Sequence, residues 1–363
     1  MKFNNPIKIG KRLVGPGHPT YVIAEIGSNF DGSLERAKKL AKLCKDAGAD
    51  AYKIQNFLAP QIVSEEGFKN LKIGYQSTWK ESVVEVYRKA EFPRAWVKEL
   101  SDYCKKIGID FFSSPWDTEA VELLEKVGVP AYKIGSGELD NLEFIRYVAK
   151  TGKPIIISTG TGTLVDVSAA VHVVKKTGNK NLALLQCTVN YPASVKEANL
   201  KAMVSMGKKF STVVGYSDHS IGKEGGSDDP LGGLLVPLGA VALGGCIVEK
   251  HVTDDRTRKG PDHSFAITIP ELRHMVQSIR AMEAALGDGI KRPMPSEKET
   301  VISMRRGMFA TMDIAKGETF ARNMIAYLRP AVGLRPPMIG KVIGKKAKRT
   351  ITAGQPICTK DVF

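Results

Sequence analysis

The chain has 363 residues, 43% of them hydrophobic and 25% charged, enough to bury a substantial core and to form one large domain with a small one. It has no apolar run near the ~18 residues of a spanning helix, and the opening MKFNNPIKIGKRLVG lacks an apolar signal-peptide core, so no membrane partner and a cytoplasmic location are expected. The formal charge of +15 suits nucleic acid, an acidic surface or an anionic small substrate, but its densest cluster, Lys341, Lys345, Lys346, Lys348 and Arg349, has no interleaved aromatics and reads as a solvated face rather than a nucleic-acid site.

Apolar runs of strand length then alternate with amphipathic helical stretches, the pattern of a parallel α/β fold. The predicted strands, in chain order, are Tyr21 to Glu25, Ala51 to Gln55, Asp110 to Ser114, Ala131 to Gly135, Pro154 to Ser158, Leu182 to Gln186, Val213 to Ser217 and Cys246 to His251. Eight such units predict a (β/α)8 barrel, whose active site lies at the C-terminal strand ends. Ser33 is the predicted cap of a helix carrying Leu34, Ala37, Leu40, Ala41 and Cys44. Pro93 opens the next helix, which ends at Gly108, and Thr118 is the predicted cap of the one after the third strand. The stretch Phe57 to Glu91 is too long for an ordinary connection and reads as an elaborated loop over the barrel mouth.

Beyond the barrel, DGIKRPMPSEKET reads as a linker, giving a barrel over 1–288, a linker over 289–303 and a compact β module over 304–363. In the module, Met308 to Thr311, Ile325 to Leu328 and Arg349 to Ile351 are the β-prone runs, separated by AKGE and ITAGQ turns. The 5 cysteines, Cys44, Cys104, Cys187, Cys246 and Cys358, are scattered without CxxC spacing and read as reduced, mostly buried residues.

The chemistry is concentrated at the predicted strand ends: Glu25, Lys53, Gln55, Ser114, Lys133, Ser136, Glu138, Ser158, Ser217, His219, Glu249 and His251. Residues two apart in a strand share a face, so Lys53 points with Gln55, Ser217 with His219, and Glu249 with His251. His219 and His251, on successive strand ends, are placed to share one divalent ion with positions left open for water or substrate. Lys53 and Lys133, in the frames AYKIQ and AYKIGSGE, with hydroxyl donors around them, form a candidate phosphate or carboxylate site. STGTGT lacks the Walker lysine, and GYSDH is not the GxSxG elbow of a serine hydrolase.

Taken together, AEIGSNFDGSLERAKKLAKLCKDAGADAYKIQNF, KIGSGELDN, ISTGT, LLQCTVNYPA, GYSDHS, GAVALGGCIVEKHVTDDRTRKGPDHSF and RRGMFATMDIAKGETF...LRP resemble the sialic acid synthase family over nearly the whole chain. The resemblance implies a (β/α)8 barrel followed by an antifreeze-like SAF domain. The implied reaction condenses phosphoenolpyruvate with an N-acylated hexose, N-acetylmannosamine or a 2,4-diacetamido-2,4,6-trideoxyhexose, to a nine-carbon 2-keto-3-deoxy sugar acid and phosphate.

By the same resemblance, Lys53, Lys133, Ser136, Ser158 and Ser217 hold phosphoenolpyruvate, and Gln55, Glu138, Tyr191 and Asp262 hold the open-chain sugar. Glu25 is the implied acid or base, and His219 and His251 the implied ligands of Mn2+ or Mg2+. Arg329 reaches the acyl group of a sugar in the partner subunit of a homodimer with swapped SAF domains.

Val189, with Asn190 next to it as a candidate substrate contact, stands where the family usually has a small polar residue, so an amide contact to phosphoenolpyruvate is expected to be lost or moved. The stretch SIGKEGGSDDPLGGLLVPL after His219 is longer and richer in glycine than the family pattern, and the loop Phe57 to Glu91 matches it weakly. Two other readings stay open: a related phosphoenolpyruvate-dependent 2-keto-3-deoxy acid synthase, and a non-catalytic barrel that binds polysaccharide or nucleic acid.

Overall fold

The computed structural model describes residues 2–69, 71, 76 and 79–363, which divide into two compact units, Met1–Gly287 and Asp288–Phe363. The first opens on an antiparallel hairpin, β1 (Ile7–Ile9) and β2 (Arg12–Val14), which the sequence reading did not expect. Its strands are only three residues long, too short for periodicity to register; Gly10, at φ 55°, makes the turn, and Ile7, Ile9 and Val14 join the main core.

The eight expected strands are all present, as β3 (Tyr21–Glu25), β4 (Ala51–Asn56), β5 (Asp110–Pro115), β6 (Tyr132–Ile134), β7 (Ile155–Ser158), β8 (Leu182–Cys187), β9 (Val213–Asp218) and β10 (Ile247–Thr253). They pair in parallel in the order β5-β4-β3-β10-β9-β8-β7-β6, with β5 and β6 in contact across the remaining seam, so the sheet closes on itself as a (β/α)8 barrel. A short strand, β11 (Ile267–Thr268), extends the edge of β10. The strands are Val- and Ile-rich because both faces of a parallel sheet are covered, one by the barrel interior and one by helices.

Helix starts follow local chemistry. Ser33 accepts from the Arg36 amide at the head of Leu34–Asp46, and Gly108, at φ 74°, ends Val97–Ile107. The cap after β5 is Asp117, not Thr118: Asp117 is extended and its carboxylate accepts from the Ala120 amide at 2.8 Å, so Thr118 becomes the first helical residue. The connection expected over 57–91 falls partly outside the described residues; within them it carries three helices, Ala59–Ile62, Glu65–Phe68 and Val83–Ala90.

In the second unit, β12 (Gly307–Ala310) and β13 (Ile325–Leu328) pair antiparallel around Met308, Ile314, Phe320, Val342, Ile351 and Ile357. Arg349–Ile351 contributes one isolated bridge, Ile314 to Ile351, rather than a strand, and Arg349 ion-pairs with the buried Asp361 carboxylate at 2.6 Å. Lys341, Lys345, Lys346 and Lys348 are exposed. All 5 cysteines are free, four of them buried. Among the described residues no helix is long and apolar enough to cross a membrane.

Candidate active site

Strand register sets the site. Glu25 of β3 lies level with Lys53 of β4 on one side and His251 of β10 on the other. Glu249, two residues before His251, lies level with Ser217, which is level with Cys187 of β8. Gln55 lies level with Ser114. The period of two turns these side chains into the barrel and their places near the strand ends set them at one end, where all but Glu25 line a cavity of about 350 Å³.

At its floor, two buried lysines meet two buried carboxylates. Lys53 Nζ ion-pairs with Glu25, donates to Ser114 Oγ at 3.1 Å and lies 3.6 Å from Glu249 Oε1; Lys133 Nζ reaches the same Oε1 at 3.5 Å. Ser217 Oγ donates to that oxygen at 3.3 Å, while Glu249 Oε2 and Ser158 Oγ are buried without a protein partner. Burial raises the Glu25 pKa, with Glu249 pushing the same way and Lys53 opposing. Burial also lowers the Lys133 pKa, whereas at Lys53 burial is outweighed by Glu249 and Glu25, which hold the ammonium in its charged form. Glu249 is likewise penalised by burial but kept below its ordinary value by Lys133 and Lys53. An anion entering beside Ser158 meets both lysine side chains and an unpartnered hydroxyl.

The two imidazoles stand 5.5 Å apart between ring centroids, with Tyr191 4.2 Å from His219 and Phe265 5.1 Å from His251. His219 Nδ1 donates to the Thr188 carbonyl at 2.9 Å, which leaves Nε2 as its ligand atom. Burial pulls the His219 pKa down, but the Cys187 sulfur 4.0 Å from Nδ1 and the Thr188 carbonyl pull it up and prevail. Burial and the neighbouring cations push His251 well below its ordinary pKa, so its ring is neutral, and its buried Nδ1 has no protein partner. Among the described residues no group of three or more His, Cys, Asp and Glu side chains gathers to hold a metal. Two facing imidazoles, one neutral with an unused nitrogen, fit a divalent ion that draws its other ligands from water or substrate.

Asp262 also enters the cavity, pinned by the Ser28 amide at 2.7 Å and the Ser28 hydroxyl at 2.8 Å, and burial raises its pKa. Gly27, at φ 49°, is required there: a Cβ would collide with the Asp262 carboxylate. Glu138 lines the cavity with one oxygen held by Asn141 Nδ2 at 2.7 Å, and burial raises its pKa. Ser136 Oγ accepts from the Gly160 amide at 3.1 Å.

Of the residues singled out from sequence, Glu25 lies at the floor beside Lys53, and Lys53, Gln55, Lys133, Ser136, Glu138, Ser158, Tyr191, Ser217, His219, His251 and Asp262 line the one cavity. Asn190 is exposed and does not line it, although Val189 beside it does; Arg329 belongs to the second unit, exposed after β13. Sequence reasoning placed Glu249 at the mouth on the face of His251 but gave it no role; the structure makes it the shared acceptor of both lysines. Nor did it find Phe57, Trp79, Tyr87 and Trp116, which line the cavity from outside the strands. The Gly-rich stretch after His219 is tied back to the segment after β8: Asp228 accepts from Ser194 Oγ and the Val195 amide, each at 2.8 Å, and Ser227 Oγ donates to Ala193 O at 2.6 Å.

Residues 40–291 match the NeuB family model and residues 305–362 the SAF domain. The chain is 39% identical over 335 residues to N,N'-diacetyllegionaminic acid synthase of Campylobacter jejuni, covering 91% of this chain and 96% of that one. It is 33% identical over 345 residues to pseudaminic acid synthase of Helicobacter pylori, covering 95% and 98%. The crystal structure of N-acetylneuraminic acid (sialic acid) synthetase from Leptospira borgpetersenii serovar Hardjo-bovis superposes with a TM-score of 0.70 at 31% identity, covering 83% of this chain and 96% of that one.

Proposed function

The chain belongs to the NeuB family and carries a SAF domain, and from that premise we propose that it is a nonulosonic acid synthase: it condenses phosphoenolpyruvate with an N-acylated hexose to a nine-carbon 2-keto-3-deoxy sugar acid and phosphate. The observation that carries the reading is the pair Lys53 and Lys133 converging on Glu249 beside the unpartnered Ser158 hydroxyl, a buried anion site next to two imidazoles. C3 of the enol attacks the sugar aldehyde, water adds at C2, and phosphate leaves as the 2-keto group forms, so all atoms are accounted for.

Lys53 and Lys133 offset the carboxylate and phosphate charge, with Ser136, Ser158 and Ser217 as hydrogen-bonding groups. Glu25, a buried carboxyl with a raised pKa, exchanges protons with the attacking water; a positioned group of this kind contributes about 100- to 10,000-fold. Gln55, Glu138, Tyr191 and Asp262 orient the sugar hydroxyls. His219 and His251 would hold Mn2+ or Mg2+, whose chemistry when bound is Lewis-acid polarisation of the aldehyde oxygen. Arg329 acts on the acyl group across a homodimer, with residues 289–303 as the linker that lets the SAF domain reach the partner barrel, and the enzyme works in the cytoplasm.

Phosphate release from phosphoenolpyruvate, measured over a panel of N-acyl hexoses with manganese and with chelator, tests this. Sugar-dependent release that chelator abolishes is expected; no release with any sugar would sink the reading.

A further inference from the structure

The loop that follows β10 is exposed along most of its length and yet supplies part of the cavity. From Asp254 to Gly260 no residue is buried, whereas Pro261, Asp262 and Phe265 line the cavity. Phe265 lies against Tyr191 at 4.8 Å between ring centroids and against His251 at 5.1 Å. The ion pairs Arg36–Asp254 and Arg256–Glu271 secure the start of the loop, and His263 secures its end. This imidazole is fully buried, with Nδ1 2.8 Å from Thr253 Oγ1 at the end of β10. Its Nε2 donates to Asp31 Oδ1, in the loop after β3, at 2.7 Å, since a carboxylate can only accept. Asp31 is held in the left-handed region at φ 48°, a strained conformation that persists only where surrounding contacts enforce it. The loop backbone packs directly on the ring: a Cβ at Gly260 would come within 2.8 Å of the imidazole Cδ2.

We propose that Asp31 and His263 form a latch that sets Asp262 and Phe265 in place for the sugar, which makes both of them positioning residues of the acceptor side of the site. The inference rests on the condensing function proposed above. The latch joins the two loops that build this side. The loop after β3 carries Gly27 and Ser28, against which Asp262 rests, and the loop after β10 carries Asp262 itself. Lys53, Lys133, Ser158 and Ser217 stand on β4, β6, β7 and β9, so the phosphoenolpyruvate groups keep their places when the latch opens. An apolar side chain at 263 fills the same space without fixing the loop, whereas a hydrogen bond of set length and direction holds it in one position. A substrate-orienting group displaced by about 1 Å costs on the order of 100-fold in rate.

The experiment reads kinetics and loop accessibility side by side in the full chain. His263→Leu fills the buried space without donating, and Asp31→Gly removes the acceptor while leaving a left-handed backbone unstrained. His263→Gln returns an N–H in place of Nε2. The sugar is N-acetylmannosamine or 2,4-diacetamido-2,4,6-trideoxymannose, whichever the unaltered enzyme turns over by phosphate release. His263→Leu and Asp31→Gly are each expected to raise the KM for that sugar about tenfold or more and to leave the KM for phosphoenolpyruvate unchanged. The double variant loses no more than either single one, because one latch is broken in all three, and His263→Gln recovers most of the loss. Limited trypsin digestion, with fragments identified by mass spectrometry, cuts faster after the exposed Arg258 and Lys259 in both broken-latch variants. Faster cutting with an unchanged sugar KM leaves only a structural contact and overturns the inference. Cutting that neither variant speeds, an equal rise in both KM values, or additive losses in the double variant also overturn it, and the condensing function stands in each case. Release with neither sugar by the unaltered enzyme takes down the condensing function itself, and the positioning role with it.

Discussion

Lys250 and Lys133 are both buried lysines on strands of the same barrel, yet their surroundings differ. Lys250 lies between Glu249 and His251 but faces the other side of β10, where its Nζ ion-pairs with Asp218 and donates to Ser220 O at 2.5 Å. Asp218 is engaged in turn by the Ser220 amide at 2.9 Å and hydroxyl at 3.0 Å. Lys133 has only the long approach to Glu249 and a 3.3 Å bond to Ile134 O, with partnerless polar atoms nearby. Where a buried cation is fully engaged, it holds strands together; where it stands short of its acceptor beside unpaired atoms, it awaits a ligand.

Substitution of Lys250 probes the first half of this contrast with the largest effect. Lys250→Met leaves Asp218 buried without its cation and should cost about 3–5 kcal/mol in unfolding free energy, read by urea titration. Lys133→Met should do the reverse, cutting kcat about 100- to 1000-fold while shifting stability by under about 1.5 kcal/mol, because Glu249 keeps Lys53. A stability loss at Lys133 as large as at Lys250 would erase the distinction.

Glu25→Gln sharpens it through pH. Because burial raises the Glu25 pKa, the folded state keeps a proton that the unfolded chain has released between the ordinary carboxyl value and the raised one. Its contribution is therefore complete below the ordinary value and declines as pH rises through that window. Unfolding titrations from pH 4 upward, about the ordinary carboxyl pKa, should show a shallower fall for Glu25→Gln than for the unaltered chain. The same slope in both would assign the proton elsewhere. Smallest is Ser33→Ala, a helix cap that does not line the cavity, expected to cost about 1 kcal/mol and leave kcat unchanged.

Much of this was legible in the chain. Strands such as Ile155–Ser158 are continuous apolar runs bounded by turn residues, and Ser33 caps its helix by contacts within one turn. Lys53, His219 and His251 were readable because position at a strand end and parity of two decide where a side chain points. Thr118 was misplaced because Asp117 and Thr118 are both good caps, and the backbone at Asp117 decides between them. The loop Phe57 to Glu91 was legible over the mouth from its length, but not which of its side chains line the cavity: Phe57, Tyr87 and Trp116 meet only in the folded chain, and no periodicity links them.

The amino-acid sequence by itself determined the barrel, the face of each strand and the polar residues at the mouth, since these depend on near-neighbour sterics and on a hydrophobic period that each segment carries alone. Only the tertiary structure decided which of those residues meet. That both lysines share Glu249 Oε1, that Asp262 rests on Gly27 and Ser28, and that an aromatic wall faces the charged floor all follow from strand register and barrel closure, which bring together residues far apart in the chain.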